Sequence, residues 1–553
     1  MAGWFRFLCI PLFAAVLDAQ QPVQPPLKLE TCSVEGQLVN AVTGEPVRKA
    51  EISLWGVGTS RDQRYVTTTT AAGRFAVPDM EPGKYQMSAS KRGYSRSEYG
   101  ARASGNSGTT LSLDPGQHLS GAVWRISPQA VITGRVSDVD GEPVPNIEVS
   151  LLQYRFERGK RQLAFSGQAN TNDLGEYRLF GLSPGRYYLS AAANGRTRSG
   201  EYDSGQGYAS TFYPGTSDPS GAKAIELQAG TLLRGADITL TRTRTARVRG
   251  RVVVPGSKQR VQGGWVSVQP RGDESQFIFG ENFGSIVDNQ GNFEIRGVLP
   301  GAYYVEAYQQ GDGKTLRAQQ SIEVHESDVE NLVLELQPGE ELKGQLLVEG
   351  PAAGSLANAQ IMLQEEGANH GYGVGANVKA DGSFTLAEVQ SARYSLSFCC
   401  GPVSSDNYYL KSARLGDQNV LESGLDLTHG VSATLEVVLS SNGGQVEGVV
   451  LNANEQPEAG ATVVLVPDEP RRSQTRLYKD TTTDQYGRFT ITGIAPGGYK
   501  LFAWEDVEDG AYEDSDFLKA FEALGEPKAI HERSRESAQL KLIPAESKKA
   551  PPH

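Results

Sequence analysis

Short runs in which hydrophobic and polar residues alternate fill most of the chain, and Gly, Pro, Asn or Asp separates one run from the next. Ile147, Val149 and Leu151 form one such run, with polar residues between them. A period of two places every second side chain on the same face of a β-strand, whereas an amphipathic helix needs a period of about 3.6. The turn residues end each run after a few positions. The pattern therefore predicts an all-β protein.

One stretch recurs five times, and each copy is called a signature segment. Counted from its first Gly, an aromatic residue stands two positions on, aliphatic residues stand four and seven on, Pro-Gly follows at nine and ten, and a Tyr stands at twelve. The copies begin at Gly73, Gly175, Gly291, Gly382 and Gly487. In the fourth copy, Ser391-Ala392 replaces Pro-Gly. The first Gly suits a turn with positive φ and Pro-Gly suits a type II turn, so each copy is predicted to be a β-hairpin.

The signature segments lie at domain-sized intervals, so each is expected to belong to a module with its own hydrophobic core. About seven short strands per module favour a sandwich of two antiparallel sheets. A short helix near the C-terminus is predicted to be capped by Ser515 or Asp516 and ended by Gly525. We expect an elongated string of five sandwiches, joined by short linkers that limit bending without abolishing it. The predicted modules are residues 31–126, 130–243, 246–337, 341–440 and 444–545.

Residues 1–19 have the layout of a secretory signal peptide. Arg6 precedes an apolar run, and cleavage after Ala19 fits the pattern. This run is too short to cross a bilayer, and no later stretch is apolar for long enough. The sequence thus predicts a secreted, periplasmic or cell-surface protein whose mature chain has no transmembrane segment.

Removal of the signal peptide would leave Cys32, Cys399 and Cys400. A disulfide-stapled scaffold needs many more cysteines, so the modules are expected to be stable through their hydrophobic cores. Cys399 and Cys400 are adjacent and follow an alternating strand. We expect two unpaired thiols there, at least one of them buried, and a strained vicinal disulfide is the alternative.

A Gly-x-Val strand, a Gly-x-Pro-Val turn such as 141–144 and the signature segment together resemble the carboxypeptidase regulatory-like domain, in repeats of the secreted bacterial type. The resemblance implies a transthyretin-like sandwich related to the Cna-B and starch-binding-like folds. The expected fold class is thus all-β, a tandem array of about five antiparallel transthyretin-like or immunoglobulin-like modules with one short helix near the C-terminus. As a family, such domains are mostly non-catalytic stalks, adhesion units or accessory domains, and some relatives bind carbohydrate.

No catalytic constellation stands out in the sequence. None of the histidines begins a His-x-x-Glu zinc motif, and no Gly-x-Ser-x-Gly nucleophile elbow is present. We therefore expect no enzyme activity, no cofactor and no catalytic residue. A net charge of −12 and the predicted export argue against nucleic acid as a partner.

Acidic residues are dense after the last signature segment. Calcium sites need several oxygen ligands, and the candidate ligands here are Asp506, Asp509, Asp514 and Asp516. Their spacing matches no calcium loop. The alternative is a solvated face that ends in a helix N-terminus, where carboxylates are favourable.

Aromatic residues are scattered among Gly and Ser in an insertion of the second module. They are candidates for stacking on sugar rings, and equally for covering the open end of the sandwich. These candidate ligand-binding residues are Tyr202, Tyr208, Phe212 and Tyr213. Trp55, Trp265 and Trp504 allow the same two interpretations.

Taken together, these patterns predict a non-catalytic scaffold for structure, adhesion or interaction at the cell envelope. Its expected partner is an envelope protein or an extracellular polysaccharide. The alternative is a carbohydrate-binding protein that uses the loop aromatics of the second module.

Overall fold

Each signature segment lies where two β-sheets meet. The computed structural model describes residues 30–545, and the predicted signal peptide lies outside them. The description omits 59–62, 103–106, 158, 194–204, 257–260, 262, 272–282, 312–313, 352–355, 367–372, 401–402 and 405. The strands group into successive pairs of sheets, which are called modules 1 to 5, and the all-β fold class is confirmed.

The first two modules carry their strands in this order. Module 1 contains β1 (Cys32–Asn40), β2 (Glu51–Val57), β3 (Arg64–Thr68), β4 (Arg74–Met80), β5 (Gly83–Ser90), β6 (Ser97–Glu98), β7 (Leu111–Leu113) and β8 (His118–Ile126). Module 2 contains β9 (Ala130–Asp138), β10 (Ile147–Glu157), β11 (Lys160–Asn170), β12 (Glu176–Leu182), β13 (Gly185–Ala193), β14 (Gln206–Tyr208), β15 (Thr211–Phe212), a 3₁₀ turn (Pro219–Gly221), β16 (Ile225–Leu227), β17 (Leu232–Leu233), β18 (Ile238–Leu240) and β19 (Arg242–Arg244).

The next two modules repeat the plan. Module 3 contains β20 (Ala246–Val253), β21 (Trp265–Pro270), β22 (Phe283–Ile286), β23 (Asn292–Val298), β24 (Gly301–Gly311), β25 (Lys314–Val324), β26 (Val329–Glu335) and β27 (Gln337–Pro338). Module 4 contains β28 (Glu340–Glu349), β29 (Gln360–Glu365), β30 (Gly373–Asn377), β31 (Ser383–Val389), β32 (Arg393–Cys399), β33 (Tyr409–Leu415), β34 (Gln418–Asn419), β35 (Leu425–Asp426) and β36 (Leu435–Ser440).

Module 5 adds a helical segment to the plan. Its strands are β37 (Gly444–Leu451), β38 (Thr462–Pro467), β39 (Lys479–Thr482), β40 (Arg488–Ile494), β41 (Gly497–Trp504), β42 (Glu526–Ile530) and β43 (Arg535–Lys541). Its helices are 3₁₀ turns (Arg471–Ser473, Thr475–Leu477, Ala511–Glu513 and Glu522–Leu524) and α1 (Ser515–Lys519). Asp514 is the N-cap of α1, one residue before the predicted cap, because its carboxylate accepts the backbone N–H groups of Asp516 and Phe517.

In every module the first strand lies in the interior of one sheet, with a strand on each side. It pairs antiparallel with the first strand of the signature segment and parallel with a closing strand, as in β4-β1-β8 and β40-β37-β43. The second sheet contains the other strand of the signature segment, as in β39-β38-β41-β42. The inner faces of the two sheets enclose a separate hydrophobic core in each module. Each module is thus a sandwich in which the first strand runs parallel to its closing strand, or to two short closing strands in module 2, and the other pairs are antiparallel.

The prediction that each signature segment is a hairpin is wrong. Its two strands lie in different sheets, so the segment is an arch that crosses the core. The Pro-Gly glycines have φ angles of 159°, 158°, 158° and 147°, far from the value of about +80° that a type II turn requires. The alternation correctly gave the buried face of each strand. It could not give the partner strand, because both sheets turn their hydrophobic faces to one core.

The closing Tyr of the signature segment fixes this arch. Its ring is almost fully buried in all five copies. In modules 1, 2, 4 and 5 its hydroxyl donates a hydrogen bond to the backbone carbonyl four residues earlier. This bond satisfies a carbonyl group at the point where the chain passes from one sheet to the other. These bonds run from Tyr85 to Glu81 (2.7 Å), Tyr187 to Ser183 (2.9 Å), Tyr394 to Gln390 (3.1 Å) and Tyr499 to Ala495 (2.8 Å).

Tyr394→Phe is expected to destabilise module 4 more than Tyr187→Phe destabilises module 2. The Tyr394 hydroxyl also accepts the backbone N–H of Gln390 at 3.1 Å, so it makes two bonds in the module that lacks Pro-Gly. At about 1 kcal/mol per bond, the loss is about 2 kcal/mol against about 1 kcal/mol. Hydrogen exchange of peptides from β31–β32 and β12–β13 measures the two losses, and equal losses would contradict this role of the second bond.

The expectation of an elongated string is wrong. Module 5 contacts module 1, module 2 and module 4, so the last sandwich returns to the first. The parallel bridge between Thr110 and Asp484 joins modules 1 and 5 through their backbones. Linker length limits how far consecutive modules separate, but it does not determine which way the chain turns, and the surface contacts decide that.

The adjacent cysteines form a vicinal disulfide, so the expectation of two unpaired thiols is wrong. Cys399 is half-buried and Cys400 is exposed, so neither is enclosed in the core. Cys400 has a φ of 71°, a left-handed conformation that the alternating strand before it did not indicate. Cys32 is a buried free thiol, and burial raises its pKa.

Candidate functional site

Module 5 is the part of the structure where most of the inter-module contacts meet. Its sheet β39-β38-β41-β42 is buried on both faces: one faces the sandwich core and the other a second hydrophobic cluster. That second cluster includes Phe502 and Trp504 from β41 and is closed by residues 505–525, which are called the cap. A strand buried on both faces reads as a continuous apolar run, as Val463–Val466 does.

The aromatic residues of the cap and of β41 pack edge to face and face to face. Phe502 stacks on Trp504 with ring centres 5.1 Å apart, and Trp504 meets Phe521 edge to face at 5.9 Å. Phe156, at the end of the long β10–β11 hairpin of module 2, lies 6.3 Å from Phe517 of the cap. The cap is therefore also the docking surface for module 2.

The acidic residues of the cap have separate structural contacts. Asp514 caps α1, Asp516 pairs with Lys519 at 2.6 Å, and Asp509 accepts the hydroxyl of Tyr512 at 2.9 Å. In the described part of the chain, no group of three or more His, Cys, Asp or Glu side chains is arranged to hold a metal ion. The structure thus does not bring the calcium candidates Asp506, Asp509, Asp514 and Asp516 together into such a group.

A different set of carboxylates shares one electrostatic environment. Loss of water and the nearby charge of Asp509 raise the pKa of Asp480, and the same causes raise the pKa of Glu513. Asp480 lies on β39, and part of its surface is exposed. The protein atoms around it nevertheless reduce the contact of its carboxyl group with water. Burial also raises the pKa of Tyr512, whose hydroxyl lies among these acids. Protonation of one carboxyl group relieves the repulsion.

The cap is expected to be held more tightly in mild acid than at neutral pH. A carboxyl group whose folded pKa lies above its ordinary value of 3.8 or 4.5 binds more protons in the folded state, so its contribution falls as pH rises through the folded pKa. Hydrogen exchange of residues 505–525, corrected for the intrinsic pH effect, measures this. Asp480→Asn is expected to slow exchange at pH 7 and to flatten the pH dependence. Faster exchange in acid would contradict the assignment.

The loop aromatics of module 2 are partly or wholly used for packing. Phe212 is 4% exposed and contacts a small cluster with Leu152 and Tyr188, so its ring is not available to a ligand. Tyr213 packs against the main core. Tyr208 packs there too, and its hydroxyl accepts Nε of Arg242 at 3.3 Å. Tyr202 lies outside the described residues.

The interface between modules 1 and 5 is polar and specific. Gln485 makes a reciprocal pair with the backbone of Ser112, accepting its N–H at 2.9 Å and donating to its carbonyl at 2.6 Å. Thr482 donates to the carbonyl of Gly108 at 2.8 Å, and Gln117 donates to the hydroxyl of Tyr486 at 2.8 Å. Several of these hydrogen bonds use backbone groups of module 1, as in the pairing of a strand with a sheet edge.

Arg102 clamps the same interface. Its guanidinium donates to the carboxylates of Glu458 and Glu505, both of which belong to module 5. The sequence gave no signal for this cluster. Gln485 and Tyr486 occupy the two variable positions before the signature Gly, which in other modules face solvent or their own turn.

Modules 4 and 5 enclose a cavity of about 280 Å³ lined by Leu396, Phe398, Tyr408, Tyr478 and Lys479 among others. Burial lowers the pKa of Lys479 to about 8, and its ammonium donates to the carbonyl of Thr492 at 2.9 Å. Tyr409 and Lys411 of module 4 bond to Glu532 of module 5, each at 2.9 Å. Module 5 is thus fixed to its neighbour as well as to module 1.

No helix in the described residues is both long and apolar enough to cross a bilayer. This chain is similar to BOS complex subunit NOMO1 of Mus musculus, at 28% identity over 207 residues. The match covers 37% of this chain and 14% of that protein, so the chain spans only a small part of this relative.

Solved structures of pilins match this chain at low similarity. The Streptococcal ancillary pilin matches at 13% identity and a TM-score of 0.19, covering 56% of this chain and 98% of the pilin. The minor pilin GBS52 of Streptococcus agalactiae matches at 14% identity and a TM-score of 0.22, covering 38% of this chain and 97% of that one. Values this low carry no argument about function.

The family comparison agrees with the signature segments. The model of the carboxypeptidase regulatory-like domain matches residues 33–118, 131–212 and 445–508. These segments lie in modules 1, 2 and 5, and the five modules share one strand plan. Three of the five modules therefore match the carboxypeptidase regulatory-like domain.

Proposed function

We propose that this protein is a non-catalytic scaffold of the cell envelope that holds its sandwiches in a fixed, closed arrangement and presents their outer surfaces to a partner. The observation that supports this best is the contact of module 5 with modules 1, 2 and 4. Such contacts are not expected in a flexible tether, because each one restricts the motion of the modules relative to one another. The proposed partner is an envelope protein or an extracellular polysaccharide.

The arrangement of the interfaces favours rigidity over reversible opening. The contact with module 1 uses backbone groups and the two carboxylates that bind Arg102, and the contact with module 2 uses the tilted aromatic rings of Phe156 and Phe517. Polar contacts fix the register of two surfaces, while aromatic burial supplies most of the stability. Together they hold modules 1 and 2 against module 5.

Small-angle X-ray scattering of the exported chain tests the closed arrangement. The double variant Arg102→Ala/Gln485→Ala removes the clamp and the reciprocal amide pair, and its radius of gyration is expected to increase. Arg186→Ala is the matched control, because its ion pair with Glu226 is exposed and lies within module 2. If the wild type already has the dimensions of an extended string, the proposal of a closed scaffold fails.

A capture experiment tests the function itself. Envelope and extracellular material is passed over the immobilised wild type and over the double variant, with and without calcium. Retention of a defined protein by the wild type, and its loss with the double variant, is the expected result for a partner that reads the closed arrangement. Turnover of a peptide, ester or glycoside substrate panel by the purified chain would contradict the non-catalytic role.

A further inference from the structure

The outer face of the second sheet of module 3 carries a row of exposed hydrophobic side chains. Ile286, Trp265 and Tyr308 are cross-strand neighbours on β22, β21 and β24. They are 68%, 37% and 51% exposed. Neighbouring strands lie about 4.8 Å apart, so the row runs for about 10 Å across the sheet. Single exposed apolar residues are ordinary, but three in one row form a patch.

The indole ring of Trp265 is held in place by a glycine. A Cβ atom built on Gly284 would lie 2.0 Å from Cζ2 of Trp265, so the ring covers backbone that only Gly leaves open. One face of the indole therefore lies on β22, and the opposite side is left toward solvent. A ring fixed in this way loses little freedom when a ligand stacks on it.

The other modules do not offer this pair. The equivalent cross-strand pairs are Glu51–Ser90, Glu148–Ala192, Gln360–Cys399 and Thr462–Trp504. Trp504 is 2% exposed because the cap of module 5 covers it, and Glu148 is 4% exposed in module 2. In module 3 the aromatic pair stays exposed, so among the described residues this cross-strand position carries two accessible rings in module 3 alone.

The charges on this face cancel. In the described part of this face, Glu306 accepts from Arg317 at 3.0 Å and Glu323 accepts from Arg271 at 2.5 Å, so each carboxylate has an arginine partner. Arg317 also reaches Glu365 of module 4 at 3.3 Å. The uncharged residues in the same outward register include Ser267, Gln269, Tyr304 and Ser321. The described part of the face thus offers aromatic rings, amides and hydroxyls beside paired charges, on a chain whose net charge is −12.

We propose that this face of module 3 binds an uncharged polysaccharide. The C–H face of a sugar ring stacks on an exposed aromatic ring, and its hydroxyls exchange hydrogen bonds with amides and hydroxyls beside it. An anionic polymer finds no unpaired cation in this row. A protein interface of standard size buries about 800 Å² per partner around a hydrophobic core, which a row of three side chains does not supply.

The inference extends the proposed scaffold by giving it a ligand, and the two can fail separately. If the chain binds no polysaccharide, the proposal of a closed arrangement still stands. If the chain is extended in solution, the proposal for the face of module 3 still stands.

Depletion binding to microcrystalline cellulose, chitin and granular starch tests the proposal, with alginate as the anionic comparison. The wild type is expected to bind at least one of the three uncharged polymers. Trp265→Ala and Tyr308→Ala are each expected to weaken that binding about tenfold or more, comparable to loss of one base-stacking ring in nucleic-acid proteins. Gly284→Ala keeps both rings but displaces the indole, so it is expected to weaken binding as well.

Phe180→Ala is the matched control, because Phe180 is an aromatic residue of module 2 that is 73% exposed and remote from this row in sequence. It is expected to bind like the wild type. Thermal unfolding of all variants verifies that they fold. The proposal is overturned if the wild type binds none of the uncharged polymers, if it binds alginate alone, or if the Trp265 and Tyr308 variants bind unchanged. A dimer that Trp265→Ala converts to a monomer would assign the face to a second copy instead.

Discussion

Gly448→Ala is expected to unfold the first sheet of module 5. Gly448 lies in the centre strand β37, and a Cβ built there would lie 2.0 Å from the carbonyl oxygen of Ala538 and 2.9 Å from the ring of Phe489. The carbonyl belongs to the parallel neighbour β43, so neither a rotamer change nor a small side-chain shift relieves the clash. The expected loss is about 3 kcal/mol or more, the upper end of overpacking effects.

The same position is Gly in every module, as Gly36, Gly134, Gly250, Gly344 and Gly448. In each case the aromatic residue two positions into the signature segment is the cross-strand partner of this Gly, and its ring lies over the space that a side chain would fill. The aromatic ring thus replaces the missing side chain, which is how a Gly in a strand interior is stabilised.

Hydrogen exchange of peptides from β37 and β43 measures the effect of Gly448→Ala. Gly375→Ala is the control: it too is a strand glycine, but its built Cβ meets no atom closer than 3.7 Å. It is expected to change stability by less than about 1 kcal/mol, because Gly in a strand is itself unfavourable. Equal protection of β37 in the variant and the wild type would show that β43 yields.

Trp504→Ala is expected to release the cap and, with it, the hairpin of module 2. The side chain is 2% exposed and contacts Phe502, Phe517 and Phe521, so its removal leaves a large cavity. Truncation of a buried aromatic costs about 3–5 kcal/mol. The resulting loss of protection should extend over residues 505–525 and reach residues 153–163, because Phe156 packs on the same cluster.

Trp504→Phe separates packing from hydrogen bonding at this position. Nε1 of Trp504 has no hydrogen-bond partner among the described atoms, so a phenyl ring removes an unsatisfied donor while it keeps most of the contacts. The expected cost is about 1–2 kcal/mol, well below that of Ala. If Trp504→Ala released the cap but residues 153–163 stayed protected from hydrogen exchange, the docking of Phe156 would not depend on the cap.

The pattern of residues predicted the modules because it is local. Alternation, the positive φ of Gly291 and the buried Tyr303 each depend on a few neighbouring residues, and five copies in one register made them unmistakable. The same locality made the hairpin prediction fail. A strand that shows which face is buried does not show which strand it will pair with.

For the same reason, the sequence did not show which candidate ligand residues are buried and which are exposed. Phe212 and Trp504 are buried, while Trp265 is exposed, although all three are aromatic residues at strand ends or beside polar runs. Whether such a ring is buried depends on whether a segment that is distant in sequence, or that belongs to another module, packs over it. Composition does not carry that information.

By itself the sequence determined the repeated sandwich, its turn glycines and its aromatic core, because these follow from residue type and spacing within about a hundred residues. The tertiary structure alone decided that the signature segment crosses between sheets, that the fifth sandwich contacts the first, and that the cap covers the second sheet of module 5. These depend on which surfaces meet, and the meeting of Arg102 with Glu458 and Glu505 joins residues that no local pattern relates.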